Sequence, residues 1–314
     1  MERTDQNSAS RMFNALRWLL PAAVPLTGLM YAASWNRLPE RMATHFGASG
    51  QANGWMARQD SLTFSIVLTA VLSAIGVAVL SRVRKPDFLA WTVLGLFYFV
   101  LGTILWGNGS VIAYNVSGRP VDPTPILILA ACLIVFVVSV GLLTRRGNPI
   151  SAAPAFAVET HASPLIALIM IVPCAALALA AAKVPVPVAR IALGAGSAIM
   201  LATAAMASSG FRYSFSRAGL EIRLLGFRLR SIAAGDIHSY AADKWSALSG
   251  YGIRGVGDRR AYVWCNRGVR IQTAEGEVFL GHNEPQRIIR DLDRVAGHVA
   301  SATNSGQSTR QVLN

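Results

Sequence analysis

The chain has 314 residues, of which 53% are hydrophobic and 14% are charged, and its mean hydropathy is +0.42. Soluble proteins carry about 25% charged residues, so this composition excludes an ordinary soluble domain and favours an integral membrane protein. Lys and Arg outnumber Asp and Glu by 29 to 16, a balance that suits contact with an anionic leaflet. The basic residues are spread over loops and the C-terminal part, which argues against nucleic acid as a partner.

Six apolar segments predict six transmembrane helices in the first two-thirds of the chain. Each is long enough to cross a bilayer core of about 30 Å, because a helix rises about 1.5 Å per residue. None contains Asp or Glu, which disfavours an ion-coupled transporter. The segments are residues 18–35, 62–80, 88–106, 126–143, 165–182 and 186–207.

The distribution of basic residues predicts the orientation of these spans. With the N-terminus inside, the inner segments carry more Lys and Arg than the outer loops, and Arg212 and Arg217 follow the last span on the inner side. The positive-inside rule therefore predicts a multi-pass protein with both termini in the cytoplasm. The first span is too long for a signal-peptide core, so we expect it to be retained.

The fold class predicted is an α-helical membrane bundle followed by a small β-rich C-terminal domain. Residues 1–17 form a cytoplasmic segment, and residues 18–83 form a first helical hairpin whose extracytoplasmic loop spans 36–60. Residues 84–209 supply four further transmembrane helices, and residues 210–300 form the β-rich cytoplasmic domain. The polar tail over 301–314 is predicted to be disordered.

The first extracytoplasmic loop carries the most specific pattern in the chain, LPxRxxxHFxxxGxxxGW. Its residues are Leu38, Pro39, Arg41, His45, Phe46, Gly50, Gly54 and Trp55. The pattern resembles the N-terminal domain of unknown function of SdpI-type bacterial membrane proteins. Asn53 stands where that family usually has an acid, and Gly47 stands where it often has Asn.

Turn chemistry and aromatic side chains define the expected shape of this loop. Gly50 and Gly54 permit positive φ, and Asn53 with Gly54 makes a turn dipeptide. Phe46 and Trp55 suit the membrane interface, where they would hold the loop against the bilayer.

His45 is the one histidine of the loop and is open to several roles. It could serve as a ligand contact, a proton acceptor or a hydrogen-bonded scaffold residue, and the pattern favours the scaffold role. A metal site needs three or four donors, and only Glu40 and Asp60 are near. No metal or other cofactor is therefore predicted.

Short alternating segments predict a β-rich domain after the last span. Strands are predicted over residues 211–216, 220–225, 227–232, 236–241, 261–265, 269–273 and 278–281, before an amphipathic helix from about Glu284. About seven strands capped by one helix resemble a bacterial pleckstrin-homology-like domain. The loop over 249–260 contributes Arg254, Arg259 and Arg260, which would either contact lipid phosphates or a partner's acidic surface, or form a solvated basic loop.

The SdpI-type resemblance implies a non-enzymatic protein of the bacterial inner membrane that acts in sensing or immunity. The motif residues of the first loop would bind an envelope peptide or protein, and the bundle would couple that event to the cytoplasmic domain. The alternative is a scaffold or assembly subunit that binds a cytoplasmic protein through the C-terminal domain. A transporter or membrane enzyme is favoured least, since no GxSxG or HExxH motif occurs.

Overall fold

The computed structural model describes residues 2–47, 51–83, 86–122, 124–143, 153–184, 187–255 and 257–297. The chain divides into two compact units. One comprises Met1–Val140 with Leu179–Gly194, and the other comprises Gly141–Ala178 with Ala195–Asn314.

The N-terminal apolar segment is broken into two helices. Helix α1 (Glu2–Leu19) ends in a 3-10 turn (Leu20–Ala22), and helix α2 (Ala23–Ser34) follows. Pro21 lies in the 3-10 turn and Pro25 in the first turn of α2, where a missing N–H costs least. The segment predicted as one continuous span is thus a helix–turn–helix.

Four helices among the described residues are long and apolar enough to cross a membrane. They are α3 (Arg58–Leu80), α4 (Phe88–Ser117), α5 (Thr124–Leu143) and α6 (Pro164–Lys183). Helix α7 (Pro187–Ser209) follows α6 and contributes a shorter apolar stretch over Leu193–Ser209. The membrane class is confirmed by these helices, while the full set of six spans stays a prediction.

A row of hydroxyl side chains lines the inward face of α3. Ser61, Ser65, Thr69 and Ser73 recur every fourth residue and are all buried. The Tyr31 hydroxyl of α2 lies 2.9 Å from the Ser61 hydroxyl, and Ser65 donates to the Asn108 side-chain oxygen of α4 at 2.9 Å. Small hydroxyl side chains let helices approach closely and satisfy one another where water is absent.

A two-stranded antiparallel hairpin joins α2 to α3. A 3-10 turn (Trp35–Arg37) leads to β1 (Arg41–Phe46), and β2 (Ala52–Ala57) runs directly into α3. The pairing runs from Arg41 with Ala57 to Phe46 with Ala52, and bulges flank His45.

The second unit contains a four-stranded antiparallel sheet in the order β3-β4-β5-β6. Its strands are β3 (Ala155–His161), β4 (Phe211–Ser216), β5 (Gly219–Leu224) and β6 (Phe227–Ala233). Strand β3 precedes α6, outside the predicted 210–300 domain, and pairs with β4 along its length. The sheet therefore incorporates chain from both sides of the α6–α7 pair.

A five-stranded sheet and a helix complete this unit. The strand order is β7-β10-β11-β9-β8, with β9 and β11 parallel. The strands are β7 (Ile237–Lys244), β8 (Gly252–Arg254), β9 (Arg260–Val263), β10 (Arg267–Thr273) and β11 (Gly276–Gly281). The predicted C-terminal helix is present as α8, over residues 285–297.

Aromatic residues join the two sheets in one core. The buried Tyr213 hydroxyl of β4 lies 3.1 Å from the carbonyl oxygens of Tyr262 and Gly281, and burial raises the pKa of this hydroxyl well above its usual value. Ile288 and Leu292 of α8 are fully buried. The C-terminal part is thus a β-rich domain of eight described strands, β4 to β11, with α8 after them, and β3 adds a ninth strand from before α6.

Candidate functional site

The β1–β2 hairpin is clamped to α4 by one amide side chain. Asn115 accepts a hydrogen bond from the Ala43 backbone N–H and donates one to the Ala43 carbonyl, both at 2.8 Å. Its amide also donates to the Val111 carbonyl at 2.8 Å. Asn115 therefore occupies the hydrogen-bonding edge of β1 as a further strand would.

Arg58 fixes the base of the same hairpin. Its guanidinium donates to the carbonyl oxygens of Trp35 and Leu38, at 2.8 and 3.1 Å, and lies 4.4 Å from the centre of the Trp35 ring. Its backbone N–H donates to the Glu40 carbonyl at 2.8 Å. These contacts hold the segment that contains the exposed Pro39.

The inner face of the hairpin packs on the helices. Leu38 and Met42 form a buried cluster with Tyr31 of α2 and Ile112 of α4. The Phe46 ring meets Tyr114 of α4 edge to face, with ring centres 4.8 Å apart. Phe46 thus anchors the hairpin to a helix of the protein, whereas the sequence analysis expected it to contact the membrane interface.

Several side chains of the hairpin are exposed among the described residues. Arg41, His45 and Asn53 are exposed, and Trp55 leaves 54% of its surface accessible. Trp55 pairs across the hairpin with Ala43, and the side chain of Asn115 is hydrogen-bonded to the Ala43 backbone. An aromatic, a histidine and an arginine are therefore displayed on a backbone that is fixed from behind.

Gly54 is needed for close packing rather than for a turn. It lies within β2 opposite His45, and a Cβ atom at this position would come within 2.9 Å of the His45 Cβ. The prediction that Asn53 and Gly54 form the turn is wrong, because both belong to β2 and Gly54 has no positive φ. Gly50, the other glycine of the motif, lies outside the described residues.

The three arginines of the predicted cytoplasmic loop differ in their surroundings. Arg254, at the end of β8, and Arg259 are exposed, whereas Arg260 begins β9 and is buried. Arg260 pairs with Val278 in the sheet. Arg254 and Arg259 are thus the two members of the set that present charge to solvent.

Two histidines share a buried position in the second unit. The rings of His161, at the end of β3, and His282, after β11, lie 5.9 Å apart and are both buried. Burial, with a contribution from His282, lowers the pKa of His161 to about 4. The described residues include no group of three or more His, Cys, Asp or Glu that could hold a metal ion.

Sequence reasoning missed Asn115 and Arg58 as parts of the site. Arg58 lies next to the motif, and its position as the first residue of an apolar helix is the signal that marks it. Asn115 lies 72 residues from its partner Ala43. A polar amide near the end of a long, mostly apolar helix is the signal that points to it.

The structure defines a class: a chain with several helices of membrane-spanning length and a β-rich C-terminal part. Comparison with known families matches residues 23–75 to a domain of unknown function, DUF1648. The match covers α2, the hairpin and most of α3, and excludes Asn115. Comparisons with curated proteins and with solved structures gave no match.

Proposed function

We propose that the protein is a non-enzymatic sensing or immunity protein of the bacterial inner membrane, which binds an envelope peptide or protein on its β1–β2 hairpin. The observation that carries this proposal is the clamp on Ala43 behind an exposed Trp55. Tryptophan and arginine are the residues that most often dominate binding energy at protein interfaces. A rigid backbone lowers the entropy that binding costs.

Coupling to the rest of the protein would run through α4. A ligand that displaces the hairpin must strain the Asn115 hydrogen bonds and the contact between Phe46 and Tyr114. The proposal includes six membrane spans with both termini in the cytoplasm, because this topology puts the hairpin and the β-rich domain on opposite sides of the membrane. It also includes the SdpI-type resemblance of the loop and the interpretation of residues 210–300 as a pleckstrin-homology-like domain.

Co-purification with mass spectrometry tests the proposal on detergent-solubilised protein. We expect Trp55→Ala and His45→Ala to lose an envelope peptide or protein that the wild type retains. Trp18→Ala is the matched control, because Trp18 is also exposed and lies on α1, away from the hairpin. An identical set of bound envelope species in all four proteins contradicts the proposal.

The scaffold alternative has one observation in its favour. Strand β7 has eight residues and lies at the edge of its sheet, with one side paired to β10 and the other side unpaired among the described strands. An open edge accepts a strand from a partner chain. Under this alternative, Ala241→Pro releases a cytoplasmic partner, while Trp55→Ala and His45→Ala change nothing.

A further inference from the structure

The turn between β5 and β6 lies at the end of the sheet from which the helices emerge. Leu224, the last residue of β5, pairs with Phe211 of β4 and with Phe227 of β6. Phe211 comes two residues after the end of α7 at Ser209. Phe211 also pairs with His161, which comes shortly before α6, a helix of membrane-spanning length. The turn is therefore adjacent to the membrane surface.

Leu225 occupies this turn in a conformation that its side chain disfavours. Its φ is 50°, and it is the one non-glycine residue with positive φ among the described residues. A branched residue is strained in this conformation. The side chain is 48% exposed, so packing within the domain does not account for leucine at this position.

Three arginines lie side by side directly behind the turn. Arg223 of β5 pairs with Arg212 of β4 and with Arg228 of β6, which places all three on one face of the sheet. Like charges opposite one another in a sheet are destabilising. Arg223 is paired with Glu221, which is 3% exposed.

The two outer arginines of this row have different environments. Arg212 is exposed and has no ion-pair partner among the described residues. Burial lowers the pKa of Arg228, Glu221 raises it, and Arg223 lowers it again. Arg212 therefore presents a positive charge that an external anion could neutralise.

A second exposed apolar residue lies at the same end of the domain. Leu248 is fully exposed in the loop after β7, whose last residue Lys244 pairs with Arg267 at the start of β10. Trp264, in the loop just before β10, stacks on Phe211 with ring centres 5.5 Å apart. The end of the domain nearest to the helices therefore carries two exposed leucines and a row of arginines.

We propose that the β5–β6 turn is a membrane contact in which Leu225 enters the lipid headgroup region and Arg212, Arg223 and Arg228 bind the phosphates of anionic lipids. An apolar tip with a basic collar is the arrangement by which peripheral segments bind anionic membranes. Guanidinium groups bind phosphate through charge-assisted hydrogen bonds. This contact is independent of the hairpin site, and it assigns lipid to other arginines than Arg254, Arg259 and Arg260.

Hydrogen exchange of the full-length protein in nanodiscs tests this contact. The discs contain phosphatidylcholine alone or a mixture with phosphatidylglycerol, and the measured quantity is the exchange rate of the amides over 224–228. We expect phosphatidylglycerol to slow this exchange in the wild type. Arg212→Gln should reduce the slowing about fivefold, since one arginine near an anionic surface contributes about 1 kcal/mol.

Two further variants separate a lipid contact from a structural role. Asparagine tolerates positive φ better than leucine does, so Leu225→Asn should raise the unfolding temperature. It should also abolish the slowing of exchange by phosphatidylglycerol, because the apolar tip is lost. Arg217→Gln, an equal loss of charge at the opposite end of β4, should behave as the wild type. Equal exchange in both discs for the wild type overturns the proposal. So does an Arg217→Gln defect as large as that of Arg212→Gln, or slowing by inorganic phosphate in phosphatidylcholine discs.

Discussion

Asn115 connects the hairpin to the helices through two hydrogen bonds to a single buried residue. Ala43 is 3% exposed, so its N–H and carbonyl have no water to replace Asn115. Asn115→Ala should therefore destabilise the protein by about 1–3 kcal/mol and increase hydrogen exchange over 41–46. Thermal unfolding in detergent and hydrogen exchange measure the two effects.

Ser117→Ala is the control for the Asn115 substitution. Ser117 lies at the same end of the helix, is exposed, and donates to the Ala113 carbonyl of its own helix. We expect no change in hairpin exchange for this variant. A hairpin that exchanges equally slowly with and without the Asn115 amide contradicts the clamp.

Gly54 illustrates a constraint that the sequence shows as a motif but does not explain. The sequence predicted a conformational role for this glycine, whereas it allows the His45 side chain to approach β2. Gly54→Ala should displace His45 and lower the unfolding temperature, because the added Cβ would lie 2.9 Å from the His45 Cβ. Gly107→Ala is the control, because no atom lies within 4 Å of its added Cβ. This substitution should leave the unfolding temperature unchanged or raise it.

At the scale of elements, apolar runs predicted the helices and alternation predicted most strands. Hydropathy marks the first apolar segment as one span and does not register the turn at Pro21, where the structure divides it into two helices. Strand β3 was missed because its pairing depends on residues distant in sequence. Strand β8 was missed because its three residues are too few to show an alternating pattern. Asp291 of α8 is buried, and burial and the nearby Glu159 raise its pKa.

The junction between β3 and α6 should make stability depend on pH. The pKa of His161 is about 4 in the folded protein against 6.5 ordinarily, so the unfolded chain binds more protons between these values. The contribution of neutral His161 to the free energy of unfolding is fully present above pH 6.5. It falls as the pH drops toward 4, by at most about 1.4 kcal/mol per pH unit. Unfolding temperatures across this range measure the slope.

His161→Phe should remove this part of the pH dependence. The nearby groups His282, Glu159 and Asp291 are present in both proteins, so the difference between wild type and variant reports on the His161 side chain. His238→Phe is the control, because His238 is exposed on β7. An unchanged slope in His161→Phe contradicts the assignment.

At the scale of the whole molecule, the sequence predicted two parts, a helical membrane part and a β-rich part, and both are present. The pairing of β3 with β4 across the α6–α7 pair was not predicted, because it joins segments that flank two apolar helices. It implies that residues 153–163 and the chain after 210 lie on one side of the membrane. The hairpin site was predicted from its motif, but the clamp behind it was not.

Cysteine labelling in intact and permeabilised cells tests the central claim that the hairpin and the β-rich domain lie on opposite sides of the membrane. Cysteines are introduced singly at Trp55, Val158 and Leu248, which are all exposed, in a protein whose Cys132, Cys174 and Cys265 are replaced by serine. We predict that an impermeant reagent labels position 55 in intact cells, and positions 158 and 248 only after permeabilisation. Labelling of positions 55 and 248 from the same side would contradict the account.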